Sequence, residues 1–380
     1  VGWSAAAATL TTLLMGALSD RVGKRKLFIC AGYILWGIST AAFGLITVDN
    51  AAKLFPAQAA AAAAVMVVIL DCVMTFFGST ANDAAFNAYI TDSIDAGNRG
   101  RTESVLAVLP LLSMLIIFGL FDGMTQRGEW QRFFAIFGAL VTLAGVAGIF
   151  LIKEPDIGPR HEPYLKNLVY GLRPDVIRDN RALYLAFTAF CLFSVAVQVF
   201  FPYLIIYMQN YLKIDNYALV LGVVLITASV VSVASGKAID RVGKLRFVLP
   251  AAAVMFIGLV GMYFVRSMAG VMAAGCVMMS GYMLVTAVLS GVIRDYTPEG
   301  KAGHFQGIRM IFGVMLPMII GPAVGAAVIR GSDSTYVELG VVKTVPTPGI
   351  FLAAAIVLLL IIPPVLLLKK PGAESKEGKA

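Results

Sequence analysis

The sequence has few of the residues that build covalent or metal chemistry. Its 380 residues include only two histidines and four cysteines. No GxxxxGK(S/T), HExxH or GxSxG motif is present, which argues against an ATP-driven pump, a zinc peptidase and a serine hydrolase. The cysteines lie singly in apolar runs, typical of small buried thiols: Cys30, Cys72, Cys191 and Cys276. We therefore predict a protein that is not an enzyme and needs no cofactor.

Charge is also scarce. Only 14% of the residues are charged and 59% are hydrophobic, with a mean hydropathy of +0.85. Soluble domains have about a quarter of their residues charged. A soluble chain of this size still needs a polar shell, so the composition indicates an integral membrane protein.

The apolar residues fall into long runs, and a helix that spans a bilayer needs about 20 of them. The runs are continuous and do not alternate with period two, which favours helices over a membrane barrel. Eleven stretches qualify: 1–18, 27–47, 66–91, 104–121, 133–152, 182–208, 217–236, 247–265, 270–293, 305–329 and 349–368.

The basic residues indicate the orientation of these helices. Segments after the first, third, fifth, seventh, ninth and eleventh stretches hold 22 of the 30 lysines and arginines, against seven in the opposite set. Cytoplasmic loops carry the excess of positive charge, so the first set and the C-terminal tail, 369–380, are predicted to be cytoplasmic. The net charge of +8 is thus an orientation signal, and no nucleic-acid partner is expected. With this orientation Val1 begins outside, so we expect that 1–18 is the second helix of twelve and that the first is missing.

An internal repeat divides the chain. Residues 16–26 reappear as residues 236–246 with six of eleven positions identical, and Asp92 corresponds loosely to Asp295. Between the copies lies the most polar stretch, 153–181. We predict an N-terminal bundle over 1–152, a cytoplasmic linker over 153–181 and a C-terminal bundle over 182–368, as in transporters built from repeats.

Residues 16–26, GALSDRVGKRK, match the signature GxLxDRxGR(K/R)(K/R) between the second and third helices of the major facilitator superfamily, with Lys24 in place of arginine. The chain resembles this family over its whole length, which implies an all-α fold of two pseudo-symmetric helical bundles. Residues 82–92, followed by Arg99-Gly100-Arg101, resemble the glycoside–pentoside–hexuronide:cation symporters and related bacterial permeases. The family resemblance implies a conformational gate formed by these residues: Gly16, Asp20, Arg21, Gly23, Lys24, Arg25, Arg99, Asp240 and Arg241.

Ionisable residues inside a membrane are costly, about 2.5–3.5 kcal/mol for an aspartate, and usually functional. Asp83 lies mid-helix, and i,i+3/i+4 spacing places Asn87 on its face. Asp71 shares a second face with Asn82, nearer the outer surface. These four residues are candidates for binding substrate or a coupling cation, H⁺ or Na⁺. A structural hydrogen bond to a neighbouring helix is the alternative for Asp83.

In the second half, Arg309 is a candidate to bind an anionic or hydroxyl-rich ligand or to neutralise Asp83. A snorkelling arginine is the alternative. Gln198, Tyr203 and Tyr207 form a polar stripe that suits a polar solute, although a tyrosine belt at the membrane interface gives the same pattern.

These features predict a secondary active transporter of the plasma membrane, working by alternating access as a monomer. We favour cation-coupled symport of a sugar or similar polar solute, with solute and lipid as its only partners. The alternatives are proton-coupled efflux of an amphipathic compound and a non-transporting membrane sensor with the same fold.

Overall fold

The structure is a computed structural model. It describes residues 2–94, 98–154, 171, 173–214, 216–298, 302–332, 334–338 and 341–369. The predicted linker, 153–181, and the predicted tail, 369–380, thus lie mostly outside the described residues.

The described residues are overwhelmingly helical. The α-helices are α1 Gly2–Val22, α2 Arg25–Phe43, α3 Val48–Leu54, α4 Ala59–Gly78, α5 Asn87–Ser93, α6 Arg99–Ile116, α7 Asp122–Gln126, α8 Trp130–Leu151, α9 Pro174–Asp179, α10 Arg181–Phe200, α11 Leu204–Ile206, α12 Tyr217–Val242, α13 Lys244–Phe264, α14 Met268–Tyr296, α15 Ala302–Met310, α16 Leu316–Ile329, α17 Gly349–Leu359 and α18 Ile362–Leu368. Short 3₁₀ turns span Pro56–Gln58 and Phe201–Tyr203.

Ten helical segments among the described residues are long and apolar enough to cross a membrane. They correspond to the second through eleventh stretches predicted above, which confirms the all-α membrane fold. The remaining prediction, 1–18, is helical as α1 but is not among the ten. Its serine and threonine residues, among them Thr9, Thr11 and Thr12, lower its hydropathy.

Most of the first copy of the repeated motif is helical. Helix α1 continues through Asp20 and Arg21 to Val22, so the reversal is confined to Gly23 and Lys24 before α2 begins. Gly23 has φ +69° and Gly243, at the same place in the second copy, has φ +97°. Side chains avoid this left-handed region, which explains why both copies of the motif have glycine there.

Several predicted continuous helices contain irregular turns. Proline 202 lies in the 3₁₀ turn that ends α10, and the last stretch divides into α17 and α18 ahead of Pro363 and Pro364. Proline lacks the N–H that would continue the helical ladder. The described ranges also include four π-helical segments: Ser79–Phe86, Ile117–Phe121, Tyr207–Tyr211 and Ile311–Met315.

A small antiparallel hairpin is the one feature outside the predicted all-α class within the described ranges. Strand β1, Thr335–Glu338, pairs with β2, Val341–Thr344, with Tyr336 opposite Lys343. The hairpin follows α16 and precedes α17, so it lies in the loop between the last two membrane spans.

The contacts divide the chain into two units. The first unit comprises residues 1–94, 120–176 and 297–311, and the second comprises residues 95–119, 177–296 and 312–380. Helix α6 is thus grouped with helices of the second sequence half, and α15 with helices of the first. The predicted bundles, 1–152 and 182–368, are divided by sequence and stay a prediction.

Glycine permits close helix contacts in each unit. In the first unit, a Cβ on Gly37 of α2 would lie 2.5 Å from the carbonyl oxygen of Gly138 on α8. In the second unit, a Cβ on Gly258 of α13 would lie 2.2 Å from the backbone nitrogen of Met278 on α14. Apolar surface provides no driving force between helices in lipid, so close packing at small residues stabilises their association.

Candidate functional site

A buried arginine is the centre of the repeated motif in the first unit. The Arg25 side chain is 1% exposed and pairs with Asp20 of α1, which is equally buried, and with Asp92 at the end of α5. The nitrogen–oxygen distance from Arg25 Nη2 to Asp92 Oδ2 is 3.1 Å. The guanidinium also donates to the Ser19 hydroxyl, which itself donates to the Gly16 carbonyl at 3.0 Å. One guanidinium therefore binds the ends of α1, α2 and α5 together.

The other predicted gate residues of the first motif differ from Arg25. Arg21 and Lys24 are exposed, and Gly23 forms the turn, its N–H donating to the Ser19 carbonyl at 2.9 Å. The motif thus contains one buried ion cluster and an exposed basic rim, and exposed basic residues at this level suit anionic lipid headgroups.

The second copy of the motif has a corresponding pair in the second unit. Lys244 Nζ lies 2.8 Å from Asp295 Oδ2, and Arg99 Nη1 lies 3.1 Å from Asp295 Oδ1. Asp295 thus holds the place that Asp92 has in the first copy, joining α6, α13 and the end of α14. Arg241 is exposed, and the side chain of Asp240 lies outside the described residues.

A second ion pair on the same helices is completely buried. Glu103 on α6, with a side chain 6% exposed, pairs with Arg294 on α14, 2% exposed. Nearby, the Ser232 hydroxyl on α12 donates to the Ser104 carbonyl at 3.2 Å. Buried charges are expensive unless they are paired and hydrogen-bonded. This pair therefore holds α6 to α14 at the ends that we predict to be cytoplasmic.

Asp83 lies in a polar chain within the membrane span. The Tyr33 hydroxyl of α2 donates to Asn82 Oδ1 at 3.1 Å, and Asn82 Nδ2 donates to Asp83 Oδ1 at 3.1 Å. Asp83 also forms a hydrogen bond with Ser79. Its side chain is partly buried, and it lies ten residues before the end of α5, roughly 15 Å along the helix.

A π-helical segment, Ser79–Phe86, positions this chain. The carbonyl of Asn82 accepts from both the backbone N–H and the side-chain Nδ2 of Asn87, the latter at 3.0 Å. These bonds join residues five apart, as in a π-helix, and through them Asn87 stabilises the segment. Its predicted place beside Asp83 stays a prediction. π-segments inside helices often occur at functional sites.

Arg309 of α15 interacts electrostatically with Asp83. Both residues belong to the first unit, where α15 packs against α1, α5 and the π-segment. Arg309 is partly buried and lies seven residues into its helix. That Arg309 neutralises Asp83 stays a prediction.

Gly307 determines how closely α15 approaches α1. A Cβ at this position would lie 2.3 Å from Leu13 Cδ2 and 2.7 Å from Leu13 Cα. We predict that Gly307→Ala lowers the free energy of unfolding by about 1–3 kcal/mol, the usual cost of overpacking. Thermal unfolding in detergent measures this effect. Gly119→Ala is the matched control, because a Cβ there meets nothing within 4 Å, and equal losses in both variants would contradict the prediction.

Asp71 lies outside the Asp83 cluster. It is partly buried on α4, twelve residues before Asp83, which corresponds to roughly 15–18 Å along the helix. At that separation the two carboxylates do not act on one small ligand together.

The polar residues predicted on α10 and its continuation pack within the second unit. A Cβ on Gly321 would lie 2.3 Å from Gln198 Cβ, so Gln198 borders a close contact with α16. Tyr203 donates from its hydroxyl to the Pro322 carbonyl at 3.1 Å. Tyr207 is fully buried, stacked on Tyr211 with ring centroids 5.2 Å apart. These contacts support helix packing for Gln198 and Tyr203.

An apolar cavity of about 60 Å³ lies in the second unit. Five methionines line it: Met114, Met208, Met262, Met278 and Met279. Pockets for drug-sized ligands measure about 300–1,000 Å³, so a compound of that size does not fit in this conformation.

Sequence reasoning missed four residues that the structure brings into these clusters. Tyr33 and Ser79 join Asp83, and Glu103 pairs with Arg294. Glu103 and Arg294 are 191 positions apart, and no spacing rule relates them. The sequence offered only a weak indication of this pair. Both residues lie at the ends of apolar runs, and they have opposite charges.

Among the described residues, no group of three or more histidine, cysteine, aspartate or glutamate side chains is arranged to hold a metal ion. The four cysteines have free thiols.

Solved structures of other membrane proteins have a similar fold. The human organic anion transporter MFSD10 (TETRAN) superposes with a TM-score of 0.67 at 16% identity, covering 97% of this chain and 83% of that one. A bacterial homologue of the iron transporter ferroportin, solved in an outward-facing state with soaked iron, gives a TM-score of 0.68 at 13% identity, covering 97% and 89%. A second structure of a bacterial homologue of ferroportin in an outward-facing state gives 0.62 at 12% identity, covering 96% and 89%. At these identities the likeness concerns the fold alone.

No curated protein matches the sequence at a significant level. The family profile described as Major Facilitator Superfamily, however, matches residues 1–322. Because that match covers most of the chain and the fold agrees with it, this multi-pass membrane protein belongs to the Major Facilitator Superfamily and is a secondary transporter.

Proposed function

We propose that this transporter couples the movement of a small polar solute, such as a sugar, to H⁺ or Na⁺ through Asp83. The observation that carries the proposal is the Asp83 carboxylate itself, placed inside a membrane span and hydrogen-bonded to Ser79 and Asn82. A carboxylate at this depth is costly and usually functional. A group that gains and loses a cation there can link solute movement to an ion gradient.

The ion clusters supply the conformational gate of this proposal. In alternating access, the ends of the helices must separate on one side of the membrane and then on the other. Arg25 with Asp20 and Asp92, Asp295 with its two basic partners, and Glu103 with Arg294 lie at helix ends that we place on the cytoplasmic side. Helices α6 and α14, from different sequence halves, are joined by two of these clusters. Breaking them opens the carrier inward.

The solute class and the location of the protein are inferred from the sequence. The resemblance of residues 82–92 to cation symporters of glycosides and hexuronides supports a polar solute, and the distribution of basic residues supports a plasma-membrane protein with a cytoplasmic C-terminus. We propose a monomer surrounded by lipid. The similar solved proteins carry an organic anion or are related to an iron transporter, so their cargoes do not single out one solute.

A thermal-shift screen of the purified full chain tests the proposal. Sugars and other polar metabolites are added with and without Na⁺ and across pH. A ligand at 100 times its Kd stabilises the native state by about 2.7 kcal/mol, so binding raises the unfolding temperature. We expect a solute-specific shift that depends on Na⁺ or pH and loses that dependence in Asp83→Asn. Asp71→Asn, the same substitution on the same membrane span, is the control and should keep it. A shift that still depends on Na⁺ or pH in Asp83→Asn would contradict the coupling role of Asp83.

The methionine-lined cavity favours efflux of an amphipathic compound as a second candidate function. Methionine is flexible and common at binding surfaces that accept many apolar ligands. The cavity must enlarge to hold such a compound. In the same screen, shifts with lipophilic cations and none with sugars would favour this candidate over the symporter.

A further inference from the structure

We propose that two grooves, one in each unit, hold acyl chains of anionic phospholipids, and that basic residues of the repeated motif bind the headgroups. The grooves lie at corresponding places in the two sequence halves. Their ligand is a component of the surrounding bilayer and differs from the transported solute, so the proposal is independent of the role assigned to Asp83.

The first groove lies between α2 and α8, beside the first π-segment. Its volume is about 210 Å³, and its lining includes Ile29, Tyr33, Ala144 and Gly148. Ala144 is exposed, and the neighbouring Leu143 is 63% exposed. Exposed apolar side chains in a membrane span face lipid, so lipid has access to this groove.

The second groove lies between α13 and the last span, at the break where α17 ends and α18 begins. Its volume is about 220 Å³, and its lining includes Leu249, Ala253, Leu359 and Ile362. Ala253 is exposed, while Leu359 and Ile362 are 45% and 38% exposed. This groove is therefore accessible to lipid as well.

The two grooves are related by the internal repeat. The motif recurs at a spacing of 220 residues, and the same spacing relates Ile29 and Tyr33 of the first lining to Leu249 and Ala253 of the second. The side chains at these positions differ between the copies. What the copies share is therefore the place of the groove on the helix and its volume.

Each groove has a basic residue of the motif one helical turn away. Lys26 precedes Ile29 by three positions, and Arg246 precedes Leu249 by three. Residues at this spacing share a helix face. A phospholipid whose acyl chain lies in either groove would thus place its headgroup beside a lysine or an arginine.

The first groove has a surplus of positive charge at the end that we predict to be cytoplasmic. Glu154 accepts a hydrogen bond from the backbone N–H of Lys26 at 3.3 Å, so the ends of α2 and α8 meet here. Glu154 and the net negative charge of the buried Arg25 cluster cancel only part of the positive charge. The basic side chains at this end of the unit are Arg21, Lys24, Lys26 and Lys153.

The second groove has similar basic neighbours. Lys369 is exposed at the end of α18, and Arg241 and Arg246 are exposed on either side of the turn before α13. Lys244 at the same turn is paired with Asp295, so we do not assign it to the headgroup. Near an anionic membrane surface each lysine or arginine strengthens binding about fivefold, and these residues therefore favour an anionic headgroup over a zwitterionic one.

The depth and the size of the grooves suit an acyl chain. Ile29 and Tyr33 lie four and eight residues after α2 begins, roughly 6 and 12 Å along the helix. Half of the hydrocarbon core is about 15 Å thick, so the first groove lies within one leaflet. An apolar cavity of about 150 Å³ is large enough for benzene, and these larger grooves therefore have room for a segment of one acyl chain.

Native mass spectrometry of the full chain in detergent, titrated with phosphatidylglycerol, tests the proposal. We expect two phospholipids to bind more tightly than all others. Ala144→Phe fills the first groove and Ala253→Phe fills the second, both from exposed positions, so each should remove one of these lipids and the double variant both. Ala147→Phe and Ile257→Phe are the matched controls, since both side chains are exposed on the same helices and neither lines a groove. Two tightly bound lipids on the double variant would overturn the proposal.

A second set of variants tests the headgroup. Lys26→Gln with Lys153→Gln, and Arg246→Gln with Lys369→Gln, should each lower the affinity of one site for phosphatidylglycerol about 25-fold. The affinity for phosphatidylcholine with the same acyl chains should stay unchanged. Because these substitutions keep the lining of the grooves, they test the proposal even where a phenylalanine variant fails to fold.

The control for these variants is Lys53→Gln with Lys213→Gln, which removes two exposed charges at the opposite ends of the spans and should leave both affinities unchanged. Equal affinities of the native chain for phosphatidylglycerol and phosphatidylcholine would overturn the proposal. Dimers in place of lipid-bound monomers would also overturn it, because a second copy of the chain would then cover the grooves.

Discussion

Arg25→Ala is expected to lower the free energy of unfolding by about 3–5 kcal/mol, the range observed when one member of a buried ion pair is removed. Asp20 and Asp92 would lose their guanidinium while staying buried, with side chains 1% and 10% exposed. Three helix ends would also lose their common partner. Thermal or denaturant unfolding in detergent micelles measures the loss.

The chain provides a matched control four residues away. Arg21→Ala removes the same type of charge from the same motif, but Arg21 is exposed, so its loss should change stability little. A triple variant, Arg25→Met with Asp20→Asn and Asp92→Asn, removes all three charges of this cluster. It should recover much of the stability, because uncharged replacements of buried ion pairs often do so. Equal effects of Arg21→Ala and Arg25→Ala would show that the buried cluster does not stabilise the fold.

The second large effect is expected at the buried pair on α6 and α14. Glu103→Gln removes the carboxylate that pairs with the buried Arg294 guanidinium. Arg294→Gln removes the guanidinium that pairs with the buried Glu103 carboxylate. Each should cost about 3–5 kcal/mol. The double variant should cost less than the sum, with a coupling energy of about 0.5–3 kcal/mol in a double-mutant cycle.

The pair also predicts a functional result. Because Glu103 and Arg294 join segments from the two sequence halves, breaking them should favour the inward-open form that we propose. Cysteines introduced at the predicted cytoplasmic helix ends would then react faster with a membrane-impermeant thiol reagent in inside-out vesicles. Glu129→Gln is the control, since Glu129 pairs with Arg127 and Arg132 in an exposed turn, and no change is expected there. Additive stability losses with unchanged labelling would contradict the gate.

Local patterns sufficed for much of the fold. The long apolar runs predicted the membrane helices because a bilayer imposes one length on each, and the polar backbone must be satisfied within each helix. The repeated motif predicted two similar turns, and Gly23 and Gly243 adopt the positive φ that those turns require. The same motif predicted the family that the comparisons show.

The candidate site was predicted only in part. Asp83 and Arg309 stood out individually, because a charge inside an apolar run is rare. Their nearness depends on α15 packing beside α1 and the π-segment, which Gly307 permits. Asn87 bonds the Asn82 carbonyl within the π-segment, and its role beside Asp83 stays a prediction. Gln198 and Tyr203 had the composition of cavity residues but border helix contacts with α16.

The amino-acid sequence by itself therefore determined the membrane class, the positions of ten of the eleven predicted spans, the repeated turns and the rare charges within the membrane. All of these follow from interactions between neighbours along the chain or between one helix and the lipid. Only the tertiary structure decided which charges meet: Arg25 with Asp92, Lys244 with Asp295, and Glu103 with Arg294. These partners are far apart in sequence, and their pairing depends on the helix packing that brings them within reach.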